Sequence, residues 1–212
     1  MDDHDVTDWH SWHAAYADPE SPLSQRLRVV QSVIDGWLEH RSGPASVVSL
    51  CAGEGRDLLD VLERRPDAAH VTATLVELQP DLAARARDRA AKAGLDGVDV
   101  RCGDAGTAAT FEDRLPADLL LLCGVFGNIS DRDIRRTVGA LPAMVRPGGT
   151  VIWTRSRRSP DVTPAIRSWL GRAGFREREF MAPDGTLWSV GVHDLITPAV
   201  IRLPKRLFTF EV

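Results

Sequence analysis

The most informative segment of the chain reads Val47-Val48-Ser49-Leu50-Cys51-Ala52-Gly53-Glu54-Gly55-Arg56-Asp57. Its first half is a short run of apolar and β-branched residues, which predicts a buried strand. A G-x-G turn follows at Gly53 and Gly55, and a helical pattern begins directly after it. Glycines in such a turn let the backbone approach a ligand closely, and the start of the helix offers free N–H groups. By itself, the same turn is also typical of a tight strand-to-helix connection that binds nothing.

From this segment onward, predicted strands alternate with predicted helices. The strands are expected at Ser46–Cys51, Val71–Val76, Val98–Arg101, Asp118–Cys123 and Thr150–Thr154. The helices between them are expected at Arg56–Arg65, Pro80–Ala93, Gly106–Asp113 and Asp131–Val145. Repeated strand–helix–strand units predict right-handed crossovers and a parallel, doubly wound α/β sheet with helices on both faces.

The two ends of the chain have different patterns. After a helix at Pro160–Arg172, an Asp184-Gly185 turn signal between two apolar segments predicts an antiparallel hairpin that completes a seven-stranded, Rossmann-like sheet. The hairpin strands are expected at Phe175–Met181 and Leu187–His193, and a further possible strand, Arg206–Phe210, has no predicted place. Residues 1–44 are interpreted as an N-terminal helical cap and 45–212 as the main domain. In the cap, Trp9, Trp12 and Tyr16 share one face of a predicted helix, which either covers the ligand site or packs into the core.

Two carboxylates follow the second and third predicted strands, Glu77 directly after Val76 and Asp104 after Cys102-Gly103. In a doubly wound sheet, ligands bind outside the carboxyl ends of the strands. A carboxylate in the first position can accept hydrogen bonds from both ribose hydroxyls of a nucleoside, and one in the second can accept from an adenine amine. Glu77 alone is equally well interpreted as a solvated loop residue.

Composition narrows the classes of protein. The chain has 212 residues, of which 43% are hydrophobic, and a formal net charge of -4. This composition supports one packed core with appendages and argues against a dedicated nucleic-acid binder. No apolar run is long enough to cross a membrane, and the acidic start Met1-Asp2-Asp3 is unlike a signal peptide. We expect a cytoplasmic protein with reduced thiols, monomeric or homodimeric, without a membrane or nucleic-acid partner.

With these elements in place, the sequence resembles the class I S-adenosylmethionine-dependent methyltransferases. The resemblance runs from about Ser46 to His193 and includes Val145-Arg146-Pro147-Gly148-Gly149-Thr150, which is similar to the family's turn into the fifth strand. It implies S-adenosylmethionine as cofactor, with the glycine loop around the methionine part, Glu77 on the ribose and Asp104 on the adenine. The cofactor-binding residues it implies are Cys51, Ala52, Gly53, Glu54, Gly55, Asp57, Glu77, Leu78, Asp104, Ala105, Cys123 and Gly124. The dinucleotide dehydrogenases share the layout, but Leu58 replaces the third glycine of their fingerprint.

The first motif departs from the family pattern at two positions. Ser49 stands where the family usually has an acidic strand residue, and Cys51 stands at the first small position of the loop. The amino group of the methionine moiety is then held by backbone carbonyls, by water, or in part by Asp57. Asp57 has an alternative interpretation as a carboxylate that favours the positive end of the helix dipole.

The acceptor is expected beyond the fourth strand, at Cys123-Gly124-Val125-Phe126-Gly127-Asn128. Candidate catalytic residues are His193, which is either a general base or a structural or exposed histidine, and Asn128, which orients the acceptor or caps the next helix. Phe126 either contacts the acceptor or packs inside, and Arg155 either binds an anionic substrate or is a solvated loop residue. No metal is expected, because no carboxylate cluster follows this strand.

The resulting hypothesis is a methyltransferase of the EC 2.1.1 class that transfers a methyl group to an O or N atom of a small molecule. A catalytically silent S-adenosylmethionine-binding or regulatory module is the alternative, and a nicotinamide-dependent reductase is disfavoured by Leu58. Cys51, Cys102 and Cys123 are all expected at the carboxyl edge of the sheet. Thiol reagents are therefore expected to inhibit, with protection by cofactor.

Overall fold

The computed structural model describes Tyr16 and residues 18–210, and the following bounds refer to that part of the chain. The helices are α1 (Pro22–Glu39), α2 (Arg56–Glu63), α3 (Pro80–Lys92), α4 (Asp131–Ala140) and α5 (Thr163–Arg172). The strands are β1 (Ala45–Leu50), β2 (Val71–Glu77), β3 (Val98–Cys102), β4 (Ala117–Leu122), β5 (Val145–Ser156), β6 (Phe175–Met181) and β7 (Trp188–Leu195). None of the described helices is both long enough and apolar enough to cross a membrane.

The strands form one seven-stranded sheet in the order β3-β2-β1-β4-β5-β7-β6. The first five strands are parallel to one another, and β7 pairs antiparallel with both β5 and β6. The predicted α/β class with its antiparallel C-terminal hairpin is thereby confirmed. Strand order reverses between β1 and β4, and in doubly wound sheets this reversal is where ligands bind, outside the carboxyl ends of the strands.

Helices cover the sheet on both faces, as a sheet of near-continuous apolar strands requires. All six residues of β4 are buried, and their side chains alternate between the two layers. Leu119 and Leu121 pack with α1, α2 and α3, whereas Leu120 and Leu122 pack with α4 and α5. The carboxyl edge is thus held between two rigid layers.

Helix α1 lies in the same layer as α2 and α3. Its amphipathic face buries Val30, Ile34 and Trp37 against the sheet, and the Trp37 indole N–H donates to the Thr150 hydroxyl at 3.0 Å. Ser21 caps the helix by accepting from the Ser24 amide. Residues 1–15 and 17 of the predicted cap, which include Trp9 and Trp12, lie outside the described residues.

The helix predicted at Gly106–Asp113 is wrong. Two 3-10 turns, Ala108–Thr110 and Glu112–Arg114, occupy this connection. Ala108 and Phe111 are buried, and their spacing of three residues is met by a 3-10 turn as well as by an α-helix. The space beside these turns is filled by the C-terminal segment, where Leu207 and Phe208 are fully buried. A smaller difference is that Val145 begins β5, although it was predicted to end the preceding helix.

Candidate functional site

The turn after β1 has backbone angles in the left-handed region, which glycine adopts without strain. Cys51, Gly53 and Gly55 have φ angles of 58°, 57° and 72°, and Cys51 is the non-glycine residue in this left-handed region. A Cβ atom at Gly55 would lie 2.7 Å from side-chain atoms of Leu59 and Leu75, so close packing of α2 on the sheet requires glycine there. The resemblance placed Cys51 where the family has a small residue, and the positive φ is the physical reason for that preference.

Glu77, at the end of β2, is bound to this turn. Its Oε2 accepts from the Gly53 amide at 2.8 Å, and its Oε1 accepts from the Gln79 amide at 2.8 Å. The residue is 7% exposed and forms no salt bridge within the described part of the chain. Each carboxylate oxygen keeps a lone pair, so this buried acceptor suits a ligand with two neighbouring hydroxyl donors.

Asp104 lies after β3 at the same edge. Its Oδ1 accepts from the Gly106 amide at 2.8 Å, and its Oδ2 lies 2.6 Å from Arg206 Nη1 and 3.3 Å from the Thr107 hydroxyl. Arg206 was not among the expected site residues. No local pattern identifies it, because it comes from the C-terminal segment, about a hundred residues away along the chain.

A second polar cluster lies where α2 begins beside the end of β4. The buried Asp57 carboxyl accepts from the Leu58 amide and hydrogen-bonds the Cys123 thiol. Burial raises the pKa of Asp57 to about 6, above its ordinary value of 3.8. Tyr16 hydrogen-bonds Arg26 of α1, and its pKa is raised by burial and further by the Asp57 charge. Tyr16, Arg26, Asp57 and Cys123 therefore form one cluster at the carboxyl edge.

The other residues expected around the cofactor lie in several environments. Glu54 accepts hydrogen bonds from Arg85 of α3 and from Arg56 of α2, and these bonds outweigh burial and keep the pKa of Glu54 below its ordinary value. Its side chain is therefore directed to the helical layer. Leu78 is 53% exposed, an unusual exposure for leucine, and it follows Glu77 at the open edge. Ala105 is buried in the core, so its side chain does not line the open edge.

Hydrogen bonds from and to side chains hold the loop after β4. Thr154 Oγ1 accepts from the Gly124 amide at 2.9 Å, and the Asn128 side-chain amide donates to the Gly124 carbonyl at 2.6 Å. Arg155 Nη1 donates to the Phe126 carbonyl at 2.6 Å. Asn128 thus closes the loop, and Ser130 is the residue that caps α4.

Phe126 does not face the acceptor side. It is fully buried, and its ring lies 5.9 Å from that of Trp153. The internal packing role, which the sequence left open as an alternative, is the one observed.

His193 does not lie at the carboxyl edge of the sheet, so its predicted position is wrong. It pairs with Val151, whereas the carboxyl end of β5 lies at Arg155 and Ser156. The offset of four residues is about 13 Å along the strand at about 3.3 Å per residue. His193 is 1% exposed, its Nδ1 lies 3.3 Å from the Trp153 indole nitrogen, and burial lowers its pKa to about 4. His193 is therefore no longer a candidate for the general base.

The three cysteines differ in accessibility, although all lie at the predicted edge. Burial, with nearby carboxylates, raises the pKa of Cys51 and of Cys123 well above the ordinary value, whereas Cys102 is exposed. Thiolates are the reactive form, so we expect iodoacetamide at pH 8 to alkylate Cys102 at least about tenfold faster than the other two. Peptide mass spectrometry over a time course measures this order. Labelling of Cys51 first would contradict the structure.

Comparisons with known proteins show which family and which fold the chain resembles. Residues 47–149, just under half of the chain, match a family model described as a methyltransferase domain. This part of the chain is therefore similar to a methyltransferase domain, and the seven-stranded sheet has the Rossmann-like fold of the class I methyltransferases. No curated protein matches the sequence.

Solved structures share the fold at low sequence identity. An O-methyltransferase family protein from Burkholderia thailandensis superposes with a TM-score of 0.67 at 20% identity over 90% of this chain. The chain spans 60% of that protein's length. Magnesium protoporphyrin IX methyltransferase from Synechocystis, with bound S-adenosylmethionine, superposes with a TM-score of 0.67 at 14% identity. The match covers 89% of this chain and 91% of that one. An RNA methyltransferase from Salinibacter ruber superposes with a TM-score of 0.52 at 19% identity, and the match covers 83% of this chain and 95% of that one.

Proposed function

We propose that this chain transfers the methyl group of S-adenosylmethionine to an O or N atom of a small-molecule acceptor, as an enzyme of the EC 2.1.1 class. One observation carries the proposal: the Gly53 amide of the glycine turn donates to the Glu77 carboxylate at 2.8 Å. This bond joins the loop proposed for the methionine part to the carboxylate proposed for the ribose. A nicotinamide cofactor is disfavoured, because fully buried Leu58 occupies the position of the third glycine.

The residues at the edge fit this cofactor in their chemistry. Glu77 accepts from the ribose hydroxyls, Asp104 from the adenine amine, and exposed Leu78 offers an apolar surface to the base. Asp57 supplies the negative charge for the methionine ammonium that Ser49 does not, and Arg26 supplies a positive charge for the carboxylate. When bound, S-adenosylmethionine supplies an electrophilic methyl group for in-line displacement by the acceptor.

On the acceptor side, we propose that the chain acts mainly by positioning. The Asn128 Nδ2 atom is used by the Gly124 carbonyl, which leaves its Oδ1 as an acceptor for a substrate O–H or N–H. Arg155 has no acidic partner within the described residues, and it lies beside Gly127 of the acceptor loop. Its charge favours an acceptor with an anionic group. A net charge of -4 favours a small acceptor over RNA.

Calorimetry with S-adenosylhomocysteine, the expected product, tests the cofactor assignment. Wild-type protein is expected to bind it in the micromolar range, and Glu77→Ala should weaken binding by about 100-fold or more, since two charge-assisted hydrogen bonds are lost. Gly53→Arg should abolish binding, because a long side chain enters the loop. Glu179→Ala removes an exposed carboxylate from β6 and is the matched control, with no change expected. Absence of binding by the wild type contradicts the proposal.

A catalytically silent binding module is the second candidate. It is favoured by the replacement of the usual strand carboxylate with Ser49 and by the use of the Asn128 amide within its own loop. Release of S-adenosylhomocysteine in the presence of a panel of small hydroxyl and amine acceptors distinguishes the two. Turnover with any acceptor rules the silent module out.

A further inference from the structure

The C-terminal segment Lys205–Phe210 is built into the fold beside the loop that follows β3. The Ala108 amide donates to the Lys205 carbonyl at 3.0 Å, and the Leu207 amide donates to the Gly106 carbonyl at 2.7 Å. These bonds pair Arg206 with Thr107 in an antiparallel bridge. A Cβ atom at Gly106 would collide with the Phe208 carbonyl, so only glycine admits the segment this close.

Helix α4 fixes the same segment from the other side. Arg136 and Thr137 both donate to the Leu207 carbonyl, at 2.8 and 3.2 Å, and the Asp133 carboxylate accepts from the Thr209 amide at 2.8 Å. Leu207 and Phe208 are fully buried. The backbone of Arg206 is therefore held in place independently of its side chain.

The Arg206 side chain extends from this anchored backbone to the Asp104 carboxylate. Its Nη1 lies 2.6 Å from Asp104 Oδ2, and the Gly106 amide lies 2.8 Å from Oδ1. With the Thr107 hydroxyl also on Oδ2, three of about four acceptor sites of the carboxylate are used. The plane of the carboxylate is thereby fixed, and the remaining site, on Oδ1, accepts but does not donate.

The pair is still open to a ligand. The side chains of Asp104 and Arg206 are 39% and 48% exposed. A salt bridge with this exposure adds little to folding stability. Its effect on ligand binding is larger, because a carboxylate already held in one orientation loses no freedom when the ligand binds.

We propose that Arg206 is a positioning residue of the adenine subsite: through it, the C-terminal segment orients Asp104 so that a 6-amino purine is selected over a 6-oxo purine. The inference rests on the proposed function, since it assumes that Asp104 meets the base of the cofactor. The 6-amino group donates to the free Oδ1 site. A 6-oxo group instead places an oxygen acceptor against the carboxylate, which repels it.

The test compares two ligands by calorimetry: S-adenosylhomocysteine and its hypoxanthine analogue, which has a 6-oxo group. Arg206→Gln is expected to weaken S-adenosylhomocysteine binding about tenfold, the effect of losing one charge-assisted contact. It should weaken the analogue less, so that the preference for the amine falls. Arg206→Lys should restore most of the preference. Arg202→Gln, an exposed arginine in the same C-terminal region, should change nothing.

A double-mutant cycle shows whether Arg206 acts through Asp104. Asp104→Asn alone should reduce the preference, and adding Arg206→Gln to it should cause no further loss. Unchanged affinity in Arg206→Gln, with wild-type protein binding S-adenosylhomocysteine, overturns this inference and leaves the proposed function intact. An equal loss of affinity for both ligands, or a lowered melting temperature that accounts for the loss of affinity, indicates a structural role for Arg206. Either result also overturns the inference. Absence of wild-type binding overturns the proposed function itself.

Discussion

Replacing Asp57 by Asn is expected to raise the free energy of unfolding by up to about 3 kcal/mol at pH 8 and to change it little below pH 4. The Asp57 carboxyl is buried, and its pKa is raised by burial from 3.8 to about 6. A raised carboxyl pKa stabilises the folded protein while the group is protonated, and this stabilisation is lost as the pH rises through about 6. Two pKa units correspond to about 3 kcal/mol. The asparagine is never charged, so the loss does not occur.

Urea unfolding of both proteins at pH 4 and pH 8 measures the effect. Asp81→Asn is the matched control, because Asp81 also lies in the first turn of a helix, α3, but is exposed. There the carboxylate favours the helix dipole, and its removal should cost about 0.3–1 kcal/mol at pH 8. If Asp57→Asn instead lowers the free energy of unfolding by the same amount as Asp81→Asn, Asp57 has the helix-dipole role.

Asp57→Asn should weaken ligand binding although it increases the stability of the folded protein. If Asp57 holds the methionine ammonium, Asp57→Asn weakens S-adenosylhomocysteine binding about tenfold or more, the range for a hydrogen bond to a charged group. Binding of 5′-methylthioadenosine, which lacks the amino-acid part, should be unaffected. Equal weakening of both ligands would contradict this role. A buried carboxylate retained at a cost in stability is consistent with a binding site.

Most of the fold could be predicted because its signals are local. The strand that ends at Leu50, the turn at Gly53 and Gly55, and the helix after it are encoded within about fifteen residues. Alternation of such units then limits the topology to few choices. Glu77 reaches the Gly53 amide because both lie at the carboxyl ends of neighbouring parallel strands.

Two features could not be found in this way. The contact between Gly106 and Leu207 joins segments a hundred residues apart, and no periodicity in either segment signals the other. Arg26 looks like an ordinary residue at the start of an amphipathic helix, until the packing of α1 brings it beside Tyr16 and Asp57.

The error at His193 has a different cause. The antiparallel hairpin was predicted, and the last strand of such a hairpin ends at the opposite edge from its parallel neighbours. The direction of β7 alone places His193 beside Val151, away from the site. Strand direction, combined with the predicted topology, was sufficient to exclude this residue.

His193→Gln is expected to leave S-adenosylhomocysteine affinity unchanged at pH 7.5 and to remove a loss of stability in acid. The imidazole is buried, and its pKa is lowered by burial from 6.5 to about 4, although Glu177 opposes the shift. A lowered histidine pKa gives stability that is present above pH 6.5 and is lost as the pH falls towards 4, about 3 kcal/mol in all. Glutamine retains an acceptor oxygen for the Trp153 indole N–H and does not titrate.

Asp57 and His193 titrate in overlapping ranges with opposite signs, so the wild-type stability should change little between pH 6 and pH 4 as far as these two groups determine it. Each single variant then reveals the other group. His193→Gln should become more stable on acidification, because the buried Asp57 is neutralised, and Asp57→Asn should become less stable, because the buried His193 is charged. Urea midpoints at half-unit pH intervals measure these slopes. Parallel curves for the wild type and His193→Gln would show that His193 is not buried as a neutral group, and a tenfold loss of ligand affinity in that variant would return His193 to the site.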